Sequence, residues 1–409
     1  MKISDDRGRS YEMSHMLPDT LIEIYDEEPI HNILAAAQFK PKNVVFIGTR
    51  KLKSKRIKSS IITALRYLGV ESKCFFYSTD MSSLDSVTDE LTTILDSFGE
   101  CAVEITGGNE VALVAAGMLT KERGLPLFRY DRFTRSYCNI YGCEAAEGPL
   151  DLPDFNINAV LAMAGGAMKS HGHLCVDTLD VETESDIFKI WTIYKKHHSR
   201  WHKTVAYLQQ LSKKLDSDAL KVSGSSVLYG ADSISGADLT VLSELSDAGI
   251  IRNYQNDGGR IGFTFKSSLM RSCLCDVGIC LELYVFAVAR RMGIYSDVAI
   301  SVVIDWDGDL DARLNTINEI DVFAVCGFAP LFISCKSGPP NVTVLNEIKT
   351  LADRFGGEYS KPVLVTMADV RSRDRYLAKR AEDMGVELID RSDLVSERLS
   401  KQLYKISQA

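Results

Sequence analysis

Three side chains in the last third of the chain are of the types that hydrolyse phosphate esters with the help of a divalent ion. Glu282 stands in the run GICLELYVFAVA, Asp321 in NEIDVFAV, and Lys336 closes LFISCK. The first run is a helix that is apolar nearly all round, so its carboxylate must be at least partly buried. It then needs a metal or a cation as partner. Arg290 and Arg291 are the nearest candidates for the cation. Two carboxylates can hold a divalent ion that polarises a phosphate and lowers the pKa of a bound water, and a lysine can orient that water or stabilise the developing charge. Two positions before the lysine, where a second acid would serve, stands Ser334. Glu282 would supply the missing carboxylate from the helix, with Ser334 and the main-chain carbonyl of Cys335 in support. The Cys335 thiol is not expected to be a nucleophile, since no histidine lies near it in sequence and an apolar strand holds an inert thiol.

A second group lies near the start. NVVFIG runs to Gly48 and into Thr49, Arg50 and Lys51; AVEIT ends at Thr106 and runs into Gly107, Gly108, Asn109 and Glu110 at a helix start. In open α/β sheets ligands sit outside the carboxyl ends of the strands, and glycines there let backbone N–H groups approach an anion at a helix N-terminus. A phosphate-bearing ligand follows. It is not a dinucleotide cofactor, because the first strand lacks GxGxxG and the chain lacks GxxxxGK[ST]. The plain alternative for the TGG turn is a tight strand-to-helix connection without a ligand.

Other candidates are weaker. His171, His173, His197, His198 and His202 follow no metal-ligand spacing, and Cys273, Cys275 and Cys280 fit no common zinc signature. The basic stretch from Lys195 to Lys203 reads as a solvated helix face. Trp201 within it is the one feature that would suit a nucleic-acid platform.

The elements that must position these groups alternate. Strands are expected over 21–25, 43–48, 71–77 and 102–106, with helices over 30–38, 54–68, 83–98 and 109–123, the second closed by Gly69. This is the pattern of right-handed βαβ crossovers in an open sheet covered on both faces. Pro149 and Pro153 end it near Asp151–Asp154. A helix over 186–215, a helix over 236–248 closed by Gly249, and a hairpin around Asn256, Asp257, Gly258 and Gly259 suggest a winged-helix arrangement. The last segment returns to α/β, with a helix over 278–292, strands over 297–306, 320–325, 331–335 and 362–367, and helices over 344–355 and 373–384.

The chain has 409 residues, 45% hydrophobic and 25% charged, which is the balance of a soluble globular protein of two to three domains. Net charge is −8, so any polyanion must be met locally rather than by the whole-molecule field. Ten cysteines at irregular spacings and no secretory leader point to a reduced, cytoplasmic protein. No apolar run approaches the roughly 20 residues of a membrane span. Residues 1–15 are polar and irregular and are set aside as an upstream extension or expression remnant.

With these residues assembled, the last segment resembles the metal-dependent nuclease core written PD-(D/E)xK. The chain from about Ile22 onward resembles the CRISPR-associated Rossmann-fold (CARF) nucleases of type III CRISPR immunity. VVFIGTRK and ITGGNE, then Gly278 to Glu282 (G-x-x-L-E), NEIDV and FISCKSG carry the likeness. It implies an α/β chain with an N-terminal CARF domain over 16–154, a linker and winged-helix-like region over 155–266, and a restriction-endonuclease-like domain over 267–409. It also implies a homodimer whose sensor domains share one cyclic tetra-adenylate, and Mn2+- or Mg2+-dependent cutting of single-stranded RNA and DNA or nicking of duplex DNA. By position, Gly48, Thr49, Arg50 and Thr106 to Glu110 would contact the activator. Glu282, Asp321 and Lys336 would form the metal site. The other reading is a cyclic-oligonucleotide-responsive winged-helix transcription regulator, whose recognition helix should present Arg, Lys, Asn or Gln to the groove. The helix DLTVLSELSD carries no basic residue. A third option is a sensor domain that degrades its own ring.

Overall fold

The computed structural model describes residues 17–147, 153–172, 179–213, 219–229, 234–308 and 316–408, with a short strand pairing of Ile3–Ser4 and Ser10–Tyr11. The rest of the expected leading extension, Pro149, Asp151 and His173 lie outside the described residues.

The first third alternates β1 (Thr20–Ile24), α1 (Leu34–Phe39), β2 (Asn43–Gly48), α2 (Lys55–Tyr67), β3 (Lys73–Ser78), α3 (Leu84–Phe98), β4 (Cys101–Glu104), α4 (Glu110–Arg123), β5 (Leu127–Asp131) and β6 (Ser136–Tyr141). They form one sheet of order β3-β2-β1-β4-β5-β6, parallel except for β6. NVVFIG is central because five of its six residues are buried, as two-sided coverage demands. Ile22, Val45 and Val103 face α3 and α4 on one side, and Leu21, Val44 and Phe46 face α1 and α2 on the other. α3 is amphipathic and buries Val87, Leu91, Ile94 and Leu95, each worth about 2 kcal/mol. The expected helix over 30–38 begins instead as a single turn, Pro29–Asn32, before α1.

Next come α5 (Ile157–Met163), β7 (Ala167–Ser170), α6 (Val181–Lys196), α7 (His198–Ser212), β8 (Lys221–Ser225), α8 (Leu239–Asp247), β9 (Ile251–Asn256) and β10 (Arg260–Phe265). The β9–β10 hairpin turns at Gly258, φ +83°, with Asp257 Oδ1 accepting from the amides of Gly259 and Arg260. β8 adds beside β10 to make a three-stranded antiparallel sheet. α8 packs against β9.

The last segment holds α9 (Ser268–Cys275), α10 (Ile279–Met292), β11 (Asp297–Asp305), β12 (Ile317–Cys326), β13 (Ala329–Lys336), α11 (Val342–Gly356), β14 (Lys361–Thr366), α12 (Arg375–Asp383), β15 (Glu387–Ile389) and α13 (Leu399–Gln408). Its sheet runs β15-β14-β13-β12-β11-β7. The edge strand β7 comes from the segment expected to be a linker, and α5 lies in the core cluster that joins Leu21 and Phe46 of the first sheet to Val302, Phe323 and Phe332 of the second. β7 therefore belongs to the C-terminal sheet, while α5 packs between α2 of the first third and α11 of the last. An edge strand as short as AMKS pairs through its main chain, so side-chain alternation carries no sign of it.

The single helix expected over 186–215 is two, broken at His197. That ring is buried, with Nε2 3.0 Å from Glu244 Oε2 and Nδ1 2.7 Å from Arg200 Nη2. A tertiary anchor, invisible in helix periodicity, sets the break.

One buried feature of the first sheet has no counterpart in the sequence reading. Glu23 of β1 and Glu104 of β4 stand opposite each other in the parallel register, 0% and 2% exposed. Burial pushes the Glu23 carboxyl up from 4.5 to about 8 and Glu104 well above its ordinary value, the neighbouring carboxyl adding to the rise for Glu104. The folded state thus keeps a proton that the unfolded chain releases, so stability falls as pH rises from about 4.5 to about 8. Glu23→Gln is expected to flatten that slope and raise the unfolding midpoint at pH 8 relative to pH 5, measured by urea denaturation. An unchanged slope would remove the carboxyl pair as its source.

Candidate active site and ligand loops

β12 and β13 pair antiparallel with Val322 opposite Ile333, which sets Asp321 across from Ser334. Residues 334 and 336 share one face of β13, as strand pleating requires. Asp321 Oδ2 accepts from Ser334 Oγ at 3.1 Å, from the Cys335 amide at 2.6 Å and from Lys336 Nζ at 3.1 Å. The S-x-K spacing is thus what brings hydroxyl and ammonium to one carboxylate oxygen. α10 packs across β11, β12 and β13 and carries Glu282 on its first turn. A Cβ at Gly278 would lie 2.9 Å from Glu282 Oε1, so the glycine in G-x-x-L-E leaves room for a carboxylate folded back over the helix start.

Burial pushes the Glu282 carboxyl up to about 8, with Asp321, Asp276 and Glu319 adding negative potential and Lys336 opposing it. Arg290 and Arg291 do not neutralise it: the first donates to the Leu179 carbonyl and the second to Glu184 Oε1. A half-buried acid facing three others with one lysine is a donor set short of positive charge, and a divalent cation fits that deficit. Among the described residues no three His, Cys, Asp or Glu side chains form a ready-made cage. Glu282, Asp321 and the Cys335 carbonyl are oxygen donors, the kind a hard divalent ion would take with water in the remaining positions. Asp276 was not singled out in the sequence. Its position two residues before Gly278, whose amide it accepts at 2.8 Å, is the signal that could have found it.

The Cys335 side chain is buried and its thiol is pushed well up by burial, with Asp321 and Glu282 reinforcing the rise, which disfavours the thiolate that a nucleophile needs. Ser334→Ala removes one of three hydrogen bonds that fix Asp321. It is expected to slow turnover about fivefold, the worth of roughly 1 kcal/mol, in single-turnover kinetics; no change would mean the other two bonds suffice.

α7 brings to this region one of the histidines that the sequence offered only as a weak metal-ligand candidate. His198 lies against the Ser337 main chain, immediately after Lys336, beside Arg391, His202 and Asp369. Burial, with Arg391 and His202 beside it, holds its pKa below the ordinary value. Four other members of the basic stretch are committed elsewhere. Lys195 pairs with Glu397, Lys196 and His197 with Glu244, and Arg200 with Asp238. Trp201 is 0% exposed, which corrects the expectation that it might serve as a stacking surface.

The first group converges at the carboxyl ends of β1, β2 and β4. Gly48 packs on Tyr25, where a Cβ would lie 2.8 Å from the Tyr25 Cβ. Gly107 and Gly108 lie against Asp26 and Ile24, and Gly108 has φ +96° and would set a Cβ 2.3 Å from Ile24 Cγ2. These glycines are required by backbone approach. Thr49 and Arg50 are exposed, with Thr49 Oγ1 accepting from the Lys51 amide. Thr106 and Asn109 spend their side chains internally. The Thr106 hydroxyl donates to Glu104 Oε1 and accepts from the Tyr130 amide, while Asn109 caps α4 through Ala112 and donates to the Met81 carbonyl. Glu110 is exposed.

The Gly108 amide that an anionic ligand would use is held by Asp26 Oδ2 at 2.7 Å. Burial would raise the Asp26 pKa, but His31 and the amides of Glu28 and Gly108 hold it below its ordinary value. Asp26 Oδ1 accepts from the Glu28 amide at 2.7 Å. Glu28 Oε2 in turn accepts from the Glu358 amide at 3.1 Å, and His31 Nε2 lies 3.2 Å from Tyr359 Oη. One short loop thus joins the glycine turn of the first sheet to the start of β14 in the second.

An open parallel α/β sheet fused through a shared core to a second sheet bearing a carboxylate–lysine cluster is the class of molecule these features define. The chain shares its fold with protein VC1899 from Vibrio cholerae, at 17% identity and TM-score 0.72 over 95% of this chain and 98% of that one. It shares it also with Can2 from Sulfobacillus thermosulfidooxidans, solved in complex with cyclic tetra-adenylate, at 17% identity and TM-score 0.66 over 95% and 99%. At this identity the likeness is one of fold. No protein-family model and no curated protein sequence matches the chain. No helix among the described residues is long and apolar enough to cross a membrane.

Proposed function

We propose that the chain is a nuclease of type III CRISPR antiviral defence, switched on by cyclic tetra-adenylate and dependent on Mn2+ or Mg2+. Its substrates are single-stranded RNA and DNA, or duplex DNA that it nicks. The observation that carries this reading is the gathering of Ser334 Oγ, the Cys335 amide and Lys336 Nζ on one oxygen of Asp321, beside the half-buried carboxyl of Glu282. The shared fold with Can2, whose structure holds the ring, supports the choice of activator.

Glu282 and Asp321, with the Cys335 carbonyl, would hold the divalent ion, which supplies Lewis acidity and a water of lowered pKa. Lys336, drawn to Asp321 in the resting state, is placed to donate to a phosphate oxygen or to orient the attacking water. Ser334 keeps Asp321 in one orientation. In the sensor, the ring phosphates would meet Arg50 and the Gly107–Gly108 amides. Binding there competes with Asp26 for the Gly108 N–H and so loosens the loop that Glu28 docks against Gly357 and Glu358. α4 exposes Val114 and Met118, each 54%, an apolar face that suits a second copy of the chain and hence a dimer. The sensor spans about 16–154 and the nuclease about 267–409, with the linker and winged-helix-like region over 155–266 between them, its strand β7 completing the nuclease sheet.

The regulator reading is disfavoured by α8. Its buried face is Val241, Leu242 and Leu245, Glu244 pairs with Lys196 and His197, and its cap Asp238 pairs with Arg200. It has no basic side chain to offer a groove. The test is cleavage of a labelled single-stranded RNA and a supercoiled plasmid with Mn2+, with and without cyclic tetra-adenylate. Ring-dependent cutting is expected. Ring binding without cutting of any substrate would restore the regulator.

A further inference from the structure

The joint between the two sheets encloses a cavity of about 490 Å3 lined by none of the nuclease residues and none of the glycine loops. One wall is the β5–β6 hairpin of the first sheet, and the other is formed by the β12–β13 turn and the start of β14. Its charge is unbalanced. Arg132, Arg135 and Lys361 line it against a single carboxylate, Glu358, which pairs with Arg132. Arg135 donates to the Gln408 carbonyl at 2.7 Å, and Lys361 makes no ion pair among the described residues.

Its apolar part is built of rings. Phe328 meets Tyr130 edge-on at 5.6 Å between centroids and Tyr359 at 5.3 Å, with Leu331 beside them. Tyr130 is 3% exposed, yet its hydroxyl has no hydrogen-bond partner. An unpaired buried hydroxyl is costly, and a polar atom of a bound ligand would satisfy it. Arg135 is held at φ +51°, a backbone conformation that a non-glycine residue keeps only where its surroundings impose it. The size lies within the range of small-molecule sites.

We propose that this cavity binds a nucleoside monophosphate, its base against Phe328 and Tyr130 and its phosphate at Arg135 and Lys361. A ligand so placed touches both sheets and braces the joint beside Glu358 and Tyr359. The inference does not depend on the nuclease reading.

The test is calorimetric titration of the full chain with adenosine 5′-monophosphate, with adenosine and inorganic phosphate as separate arms. The nucleotide should bind, and each half alone should bind at least about tenfold more weakly. Lys361→Glu should raise Kd about tenfold or more, the worth of one charge-assisted hydrogen bond. Tyr130→Phe should raise it severalfold, and Arg50→Ala should leave it unchanged. No binding to the wild type overturns the proposal, as does phosphate binding as tightly as the nucleotide. Loss of binding in Arg50→Ala with retention in Lys361→Glu would place the nucleotide in the glycine loops and overturn it equally.

Discussion

Asp321→Ala is expected to lower nucleic-acid cleavage about a thousandfold or more, the scale of losing a group that organises a metal and its neighbouring charges. One oxygen of this carboxylate gathers a hydroxyl, an amide and an ammonium. Removing it releases Lys336 and leaves Glu282 as the only carboxylate of the pair. The fold should survive, because Asp321 belongs to none of the hydrophobic core clusters and the strands on either side pair through their main chains. Single-turnover cleavage together with calorimetric ring binding separates the two effects. A variant that still cuts within about tenfold of wild type would exclude Asp321 from the site.

The second large effect is expected at Gly357, far from the chemistry. Its φ is +54°, and a Cβ there would lie 2.2 Å from both carboxylate oxygens of Glu28. Gly357→Ala must therefore displace the Glu28 carboxylate that docks the loop from Asp26 on the second sheet, and it strains a left-handed backbone besides. Ring-free activity should change little, whereas stimulation by the ring should fall about tenfold or more, a coupling loss of the usual allosteric size. Glu28→Ala removes the same contact without adding bulk and should act alike. If both variants keep full stimulation, the signal passes elsewhere, through α5 and the shared core for instance.

Much of this was legible in the residues. NVVFIG, buried on both faces, could only be a central strand. GICLELYVFAVA could only be a buried helix, and an acid inside it had to find a use. Ser334 and Lys336 were readable as one face of a strand because pleating fixes which residues share a side. What sequence could not carry was anything set by main-chain pairing or by distant contacts. β7 is too short to show alternation. The break at His197 depends on Glu244, 47 positions away. The cross-strand meeting of Glu23 and Glu104 needs the register of β1 on β4. The Asp26–Gly108 contact spans 82 positions, and Asp26 by itself reads as an ordinary loop acid.

The most direct measurement is a double dissociation of sensing from cutting. Arg50→Ala and Asp321→Ala are compared with wild type for calorimetric binding of cyclic tetra-adenylate and for Mn2+-dependent cleavage of labelled single-stranded RNA. Asp321→Ala should bind the ring as wild type does and cut nothing. Arg50→Ala should bind it weakly and regain cutting only at correspondingly higher ring concentration. A wild type whose cutting is the same with and without the ring, or an Asp321→Ala that cuts as wild type does, would contradict a nuclease governed by its own sensor.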